Sequence, residues 1–328
     1  MKLFKNWKSF FVSIKDWSKN QSKYTGKPKL PKYKEKNGRN IVMFDYQQCI
    51  VKNSRIKFPK TKIYIETGIE RNQFKQIQIV PYGSCYKICI YYAIEIHKKE
   101  TYNNNYLAID LGVDNLATLT NNIGQQPIVV NGKILKSINQ YYNKKISKAR
   151  SYVGNKTSKR MKKISHKRNN IVETHFHHIS RWIINYCKAY DIDTIVIGKN
   201  KDWKRSSTMN RKSNQKFIQL PYEMFIHQLK YKGEVVGIRV VEVIESYTSK
   251  ASFIDRDEIP TKQGEHEFSG KRISRGMYIS KDGTLINADV NGSYNILRKC
   301  NAQFSYESIE GLSLIPVRLN IAPNKEVI

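Results

Sequence analysis

"YLAIDLGVDNLATLTNN", residues 106–122, is the stretch whose reading decides the fold. Two apolar runs, "YLAIDLGV" and "NLATLTN", flank a tight turn at Gly112–Asn115 and read as a hairpin of buried strands. Asp110 is out of place in the first run. Strand interiors avoid aspartate, and a buried carboxylate needs a partner. Either Asp110 is solvated at a strand end, or a cation completes it.

Downstream, "QPIVVNG" reads as a third strand, followed by long helices over about 134–151 and 156–189. "DIDTIVIGKN" is a buried strand, a helix lies near 221–232, and "GIRVVEVIE" is another strand. "NADVNGSYNILRKC" is a helix with Asp289 near its start and Ile296 and Leu297 turned inward. Strands first in a hairpin, then alternating with helices, predict a mixed α/β sheet. Upstream, residues 1–20 read as a helix carrying Trp7, Phe10, Phe11 and Trp17. A Pro/Gly/Lys-rich stretch follows, in which Lys23, Lys27, Lys29 and Lys32 are candidates for phosphate contact. From about Ile41 to Ile96 short strands punctuated by turn residues predict a small β-barrel or sandwich, and "TYNNN" (101–105) reads as a linker.

Charge narrows the partner. The 328 residues hold 58 Lys and Arg against 27 Asp and Glu, a formal +31. Such an excess repels itself unless a polyanion neutralises it, and nucleic acid is the polyanion expected. No acidic residue lies between Asp114 and Glu173, and residues 143–168 alone carry 11 Lys and Arg. Lys148, Arg150, Lys156, Lys159, Arg160, Lys162, Lys163, Lys167 and Arg168 are the phosphate-contact candidates there. Lys204 and Arg205 join them in "KNKDWKRSSTMNRKSNQ", where Trp203 suits stacking on a single strand. No apolar run reaches the roughly 18 residues of a membrane helix. The basic N-terminus has no apolar h-region, so a cytoplasmic protein without a membrane partner is expected. Cys49, Cys85, Cys89, Cys187 and Cys300 are scattered. Only Cys85 and Cys89 are close, with no second pair, so reduced thiols are expected and zinc is not.

Three acids are candidates for one site: Asp110 on the first strand, Glu245 ending a late strand, and Asp289 opening a late helix. They fall near one sheet edge if the strands from 106, 192 and 236 are mutually parallel. Converging carboxylates repel unless a divalent metal neutralises them. Two Mg²⁺ ions about 4 Å apart activate water and stabilise the leaving oxygen of a phosphodiester. Taken alone, Asp289 also reads as a helix cap and Glu245 as a surface residue.

Six blocks carry a family likeness: "AIDLGVDNLATLT" (108–120), "IVIGKNKDWKR" (195–205), "NQKFIQLPYEMF" (214–225), "ESYTSKASFIDRDEIP" (245–260), "FSGKRISRGMYISKDG" (268–283) and "NADVNGSYNILRK" (287–299). In this order they resemble the TnpB (OrfB) family of insertion-sequence proteins, relatives of the type V CRISPR effectors. The likeness covers roughly residues 20–300. It implies an RNase H-like (RuvC) nuclease domain at 101–300, joined to a wedge-like β-barrel at 1–100 and followed by a tail at 301–328. It also implies a guide RNA from the transposon end, a target DNA, and Mg²⁺-dependent cutting. Asp110 matches the first RuvC motif and Asp289 the third.

The chain departs from the family in three places. Where the family commonly has its glutamate, this chain reads Gly198. The role moves to Glu245 on the next parallel strand, about 4.8 Å away. Strand parity puts Val241, Val243 and Glu245 on one face and Glu242 on the other; Glu242, or no replacement at all, are the alternatives. Second, residues 246–285 form the target-nucleic-acid-binding insert but lack the family's cysteine pairs. Asp255 and Asp257 there are expected to form turns and pair with Lys271, Arg272 or Arg275. "THFHHIS" (174–180) offers His175 and His178 one helical turn apart, in a helix with Trp182 and Ile183. Third, the chain looks short at its N-terminus against the family. The readings are therefore an RNA-guided, two-metal DNA endonuclease, a nuclease-dead RNA-guided DNA binder, or a decayed remnant of a transposase-family protein.

Overall fold

The computed structural model describes residues 2–36, 38–83, 85–96, 102–154, 156–199, 220–261, 264–309 and 314–321. The chain divides into two compact units, Met1–Ala93 and Ile94–Ile328.

The first unit opens with α1 (Lys2–Lys19). One antiparallel sheet pairs β1 (Val42–Asp45), β5 (Phe74–Tyr82) and β6 (Cys85–Tyr92). The other pairs β2 (Ile50–Lys52), β3 (Arg55–Lys57) and β4 (Tyr64–Glu66). Both contribute to one core, with Cys49, Ile56, Phe58, Phe74 and Ile77 buried together. No strand pairing joins the two sheets among the described residues. The strands of the second sheet are three residues each, which gives two small sheets about a shared core; of the expected barrel or sandwich, this is nearer the sandwich.

The second unit is built on a six-stranded sheet. Its order is β11 (Arg239–Val243), β10 (Thr194–Gly198), β7 (Tyr106–Leu111), β8 (Asn115–Asn121), β9 (Ile128–Asn131) and β15 (Val317–Leu319). β10 runs parallel to both β7 and β11, as the clustering of the three acids requires. The hairpin from 106 to 121 forms as expected, with Asp110 opposite Thr118. Residues 317–319 are not a tail: they pair in parallel with β9, and Leu314 and Ile321 reach the core on either side of the strand. Residues 102–105 of the expected linker are likewise tied down, since the Asn103 side chain donates to the Asp191 carbonyl at 2.7 Å.

Helices cover both faces, which explains the near-continuous apolar strands. Alternation sorts the side chains. Leu107, Ile109 and Leu111 join a core with α3 (Lys159–Ala189) and α4 (Tyr222–Val235). Ala108 on β7, Val196 on β10 and Val243 at the end of β11 pack on the opposite face with Val290, Ile296 and Leu297 of α5 (Ala288–Cys300). Two residues further along β7 and β10, on that same face, stand Asp110 and Gly198; Glu245 follows the end of β11, with its carboxylate beside Gly198. α2 (Lys133–Val153) packs on α3.

The insert is a three-stranded antiparallel sheet of β12 (Lys271–Ser274), β13 (Met277–Ile279) and β14 (Leu285–Asn287). Carboxylates clip its loops. Asp257 accepts from the backbone N–H of Ser252 at 2.8 Å and of Ser269 at 3.1 Å. Asp255 accepts from the N–H of Lys281 at 3.0 Å. The expected turn role is present, but the expected ion pairs are not: Arg272 faces Asp289 and Arg275 faces Asp114 instead. Asp257→Ala should therefore loosen residues 252–270, costing about 1–3 kcal/mol for the orphaned N–H groups. Limited proteolysis should cut there first, and an unchanged cleavage pattern would count against the clip.

Candidate active site

The three acids of the sequence reading converge on the α5 face. Asp110 sits near the end of β7, and Asp289 lies in the first turn of α5, whose N-cap Asn287 accepts from the N–H of Asp289 and Val290. Asp289 is thus not the cap itself. Glu245 lies two residues beyond the end of β11, in the turn that follows the strand. Glu242 points elsewhere, as parity requires. It pairs with Lys199 at 2.8 Å and Lys230 at 2.5 Å. Burial pushes its carboxyl up, but these two cations outweigh burial and hold it below its ordinary range.

Two glycines let the parts approach. A Cβ on Gly198 would lie 2.4 Å from Ile296 Cδ1 and 3.1 Å from Glu245 Oε2. The Glu245 carboxylate therefore sits beside the space that a side chain at position 198 would enter. A Cβ on Gly292 of α5 would lie 3.2 Å from Asp110 Oδ2. Ser293 fixes the same helix to the hairpin, donating to the Thr118 carbonyl at 3.1 Å. Tyr222 of α4 donates to the Gly112 carbonyl at 2.8 Å and holds the β7–β8 turn.

The electrostatics follow from this crowding. Burial pushes the Asp110 carboxyl well above the usual carboxylate range, and the charges of Glu245 and Asp289 push it further; Arg272 opposes them. Asp289 accepts from the Asn115 side chain at 2.6 Å and has Arg272 at 3.7 Å. Among the described residues, no three His, Cys, Asp or Glu side chains stand close enough together to enclose a metal ion. The acids thus share a neighbourhood, with Asp289 drawn toward Asn115 and Arg272.

A cleft of about 1230 Å³ opens beside them, lined by Asp110, Asp114 and Asp289 and by the cations Lys133, Lys136, Arg272, Arg275 and Arg318. Asp114 is held by Lys136 at 2.6 Å and by Arg275. Arg272 escaped the sequence reading as a site residue, because nothing local links it to an acid 17 positions later. Its signal was the run of cations in "KRISR".

The other candidates separate. Lys148, Arg150, Lys156, Lys159, Arg160, Lys162, Lys163 and Lys167 are exposed along α2, α3 and their connection. Arg168 is not a free cation: its guanidinium donates to Asn139 at 2.6 Å and lies over the Tyr142 ring, tying α3 to α2. Lys204, Arg205 and Trp203 lie outside the described residues. His175 is a core residue, buried on α3, and burial brings its imidazole down to about 4. No helix among the described residues is long and apolar enough to cross a membrane.

Residues 89–204 match the OrfB_IS605 family, described as a probable transposase, and residues 222–296 match the Cas12f1-like TNB domain. A TnpB-like protein, ORF457 of Acidianus two-tailed virus, is 31% identical over 107 residues, which is 33% of this chain and 21% of that protein. The matched part therefore spans about a fifth of that relative. Similar solved chains include one in a CRISPR-Cas12f ternary complex, with a TM-score of 0.42, 14% identity, and coverage of 68% of this chain and 45% of that one. Another is in a Cas12f1–sgRNA–target DNA complex, with a TM-score of 0.42, 13% identity, and coverage of 85% and 74%. Two segments of the chain, 89–204 and 222–296, are thus similar to an insertion-sequence transposase family and to a Cas12f1-like domain.

Proposed function

We propose that this protein is a transposon-associated, RNA-guided DNA endonuclease that hydrolyses phosphodiester bonds. The observation that carries this reading is the convergence of Asp110, Glu245 and Asp289 on one face of the sheet, beside a cleft lined by five cations. Asp110 and Asp289 present carboxylate oxygens to this cleft, the donor type that a hard divalent ion takes, with Glu245 close enough to raise the Asp110 carboxyl. Asp110, Glu245 and Asp289 would hold two Mg²⁺, which when bound supply an activated water and neutralise the leaving oxygen. Asn115 holds Asp289 until then. Arg272 places a fixed positive charge beside the acids, suited to a phosphate oxygen. Lys133, Lys136 and Arg318 line the path of a phosphate backbone. The exposed cations of α2 and α3 suit a guide–target duplex, held by its backbone rather than read by base.

The test is to express the full chain together with a transposon end and isolate what co-purifies. A discrete RNA is expected, with Mg²⁺-dependent cutting of DNA matching that RNA. A second reading has its own support, since the three carboxylates are not gathered into a metal-holding group. Guided DNA binding without cutting, in Mg²⁺ and in Mn²⁺ alike, would favour that nuclease-dead binder.

A further inference from the structure

α5 carries Asp289 at its first turn, and its last turn carries Lys299. That lysine reaches the other end of the carboxylate site. Its ammonium donates to the Ile244 carbonyl at 2.6 Å and to the Ser246 carbonyl at 2.9 Å. These are the two residues on either side of Glu245. The Glu245 carbonyl is engaged as well, accepting from the Thr248 hydroxyl at 2.8 Å. Asn295, one turn before Lys299, donates to the Thr248 carbonyl at 3.0 Å. The whole 244–248 turn is therefore pinned to one helix.

The need for such a clip follows from where Glu245 sits. β11 stops at Val243, so the ladder that fixes a strand residue does not reach position 245. A carboxylate on a free turn would sample many positions, and ordering it on ligand binding carries an entropic cost. A cation bridging the two flanking carbonyls removes that freedom in advance. The long stem of lysine spans the gap, and its compact head serves two acceptors at once. Lys299 also places a positive charge near Glu245.

We infer that Lys299 is a positioning residue: it holds the 244–246 turn so that Glu245 stands at the site where the neighbouring strand offers only Gly198. This rests on the proposed role of Glu245, and the experiment keeps the two apart. Mn²⁺ serves as the probe, and its binding to the full-length protein is read by electron paramagnetic resonance without any cleavage. Substituting groups that orient metal ligands typically costs about 10–100-fold in metal affinity. Lys299→Met should weaken Mn²⁺ binding by about that factor, while Lys299→Arg should restore most of it. Thermal melting in a chelator tells positioning from unfolding, and a cooperative transition is expected for both variants.

Asp110→Asn and Glu245→Gln are the controls. If both weaken Mn²⁺ binding and Lys299→Met leaves it unchanged, the clip is refuted and the site survives. If neither control changes Mn²⁺ binding, the carboxylate site itself is refuted. If Lys299→Arg binds as poorly as Lys299→Met while folding normally, bridging by a cation at this position is not what orders the turn.

Discussion

Asp110→Asn should lower Mg²⁺-dependent cleavage at least about 1,000-fold, which is about 4 kcal/mol of barrier, and at the same time make the metal-free protein more stable. The two effects share one cause. Asp110 is desolvated by its strand and faces Glu245 and Asp289, so its folded-state pKa is raised. For an acid raised in this way, the folded chain holds the proton more tightly than the unfolded chain. Its contribution to stability therefore falls as pH rises above the ordinary carboxylate range. Asparagine keeps the shape and cannot ionise. The gap in melting temperature between variant and parent should be small in acid and widen toward neutral pH. It should correspond there to about 1–3 kcal/mol, the scale of an uncompensated buried polar group. Added Mg²⁺ should stabilise the parent and not the variant. Parallel melting curves across the pH range, or undiminished cleavage, would show that Asp110 is neither crowded nor catalytic.

Gly198→Ala is the second large effect. The new methyl lands 2.4 Å from Ile296 Cδ1, in a core where Ile296 is fully buried, and 3.1 Å from the Glu245 carboxylate. Overpacking of this kind costs about 1–3 kcal/mol. The collision is specific to one atom, so trimming it should relieve the strain. Ile296→Val alone costs about 0.5–1.5 kcal/mol. The double variant should be less damaged than the sum of the two, a coupling that a double-mutant cycle measures by chemical denaturation. Strict additivity would mean the backbone gives way instead. Mg²⁺ affinity should fall in Gly198→Ala, since the carboxylate and the methyl compete for one space.

The legible part of this protein was its alternation. Once Ala108 and Val196 face one helix, Asp110 and Gly198 share that face, and a two-residue period suffices to deduce it; Glu245, beyond the end of β11, owes its place to the turn. Glu242 is excluded by the same rule and is found with Lys199 and Lys230. What stayed hidden depended on contacts between distant segments. Arg168 reads as one more cation in a basic run, yet Asn139, 29 positions earlier, captures it. Asp257 reads as an ion-pair former, yet it satisfies backbone N–H groups of Ser252 and Ser269. Lys299 carries no local mark at all, because its partners are carbonyls, which every residue has.

The pairing of residues 317–319 with β9 sets an order of events during synthesis. Asn131 and Asn320, whose side chains are bonded across this pair, are 189 positions apart. A ribosome releases the first of them long before the second. Through that interval the outer rim of β9 is unsatisfied, and such rims recruit other chains. Contacts between segments so far apart also slow the final closure. A nascent chain with +31 formal charge thus spends a long interval with an open seam, and production yield should depend more on translation pace and chaperones than on the melting point of the finished fold.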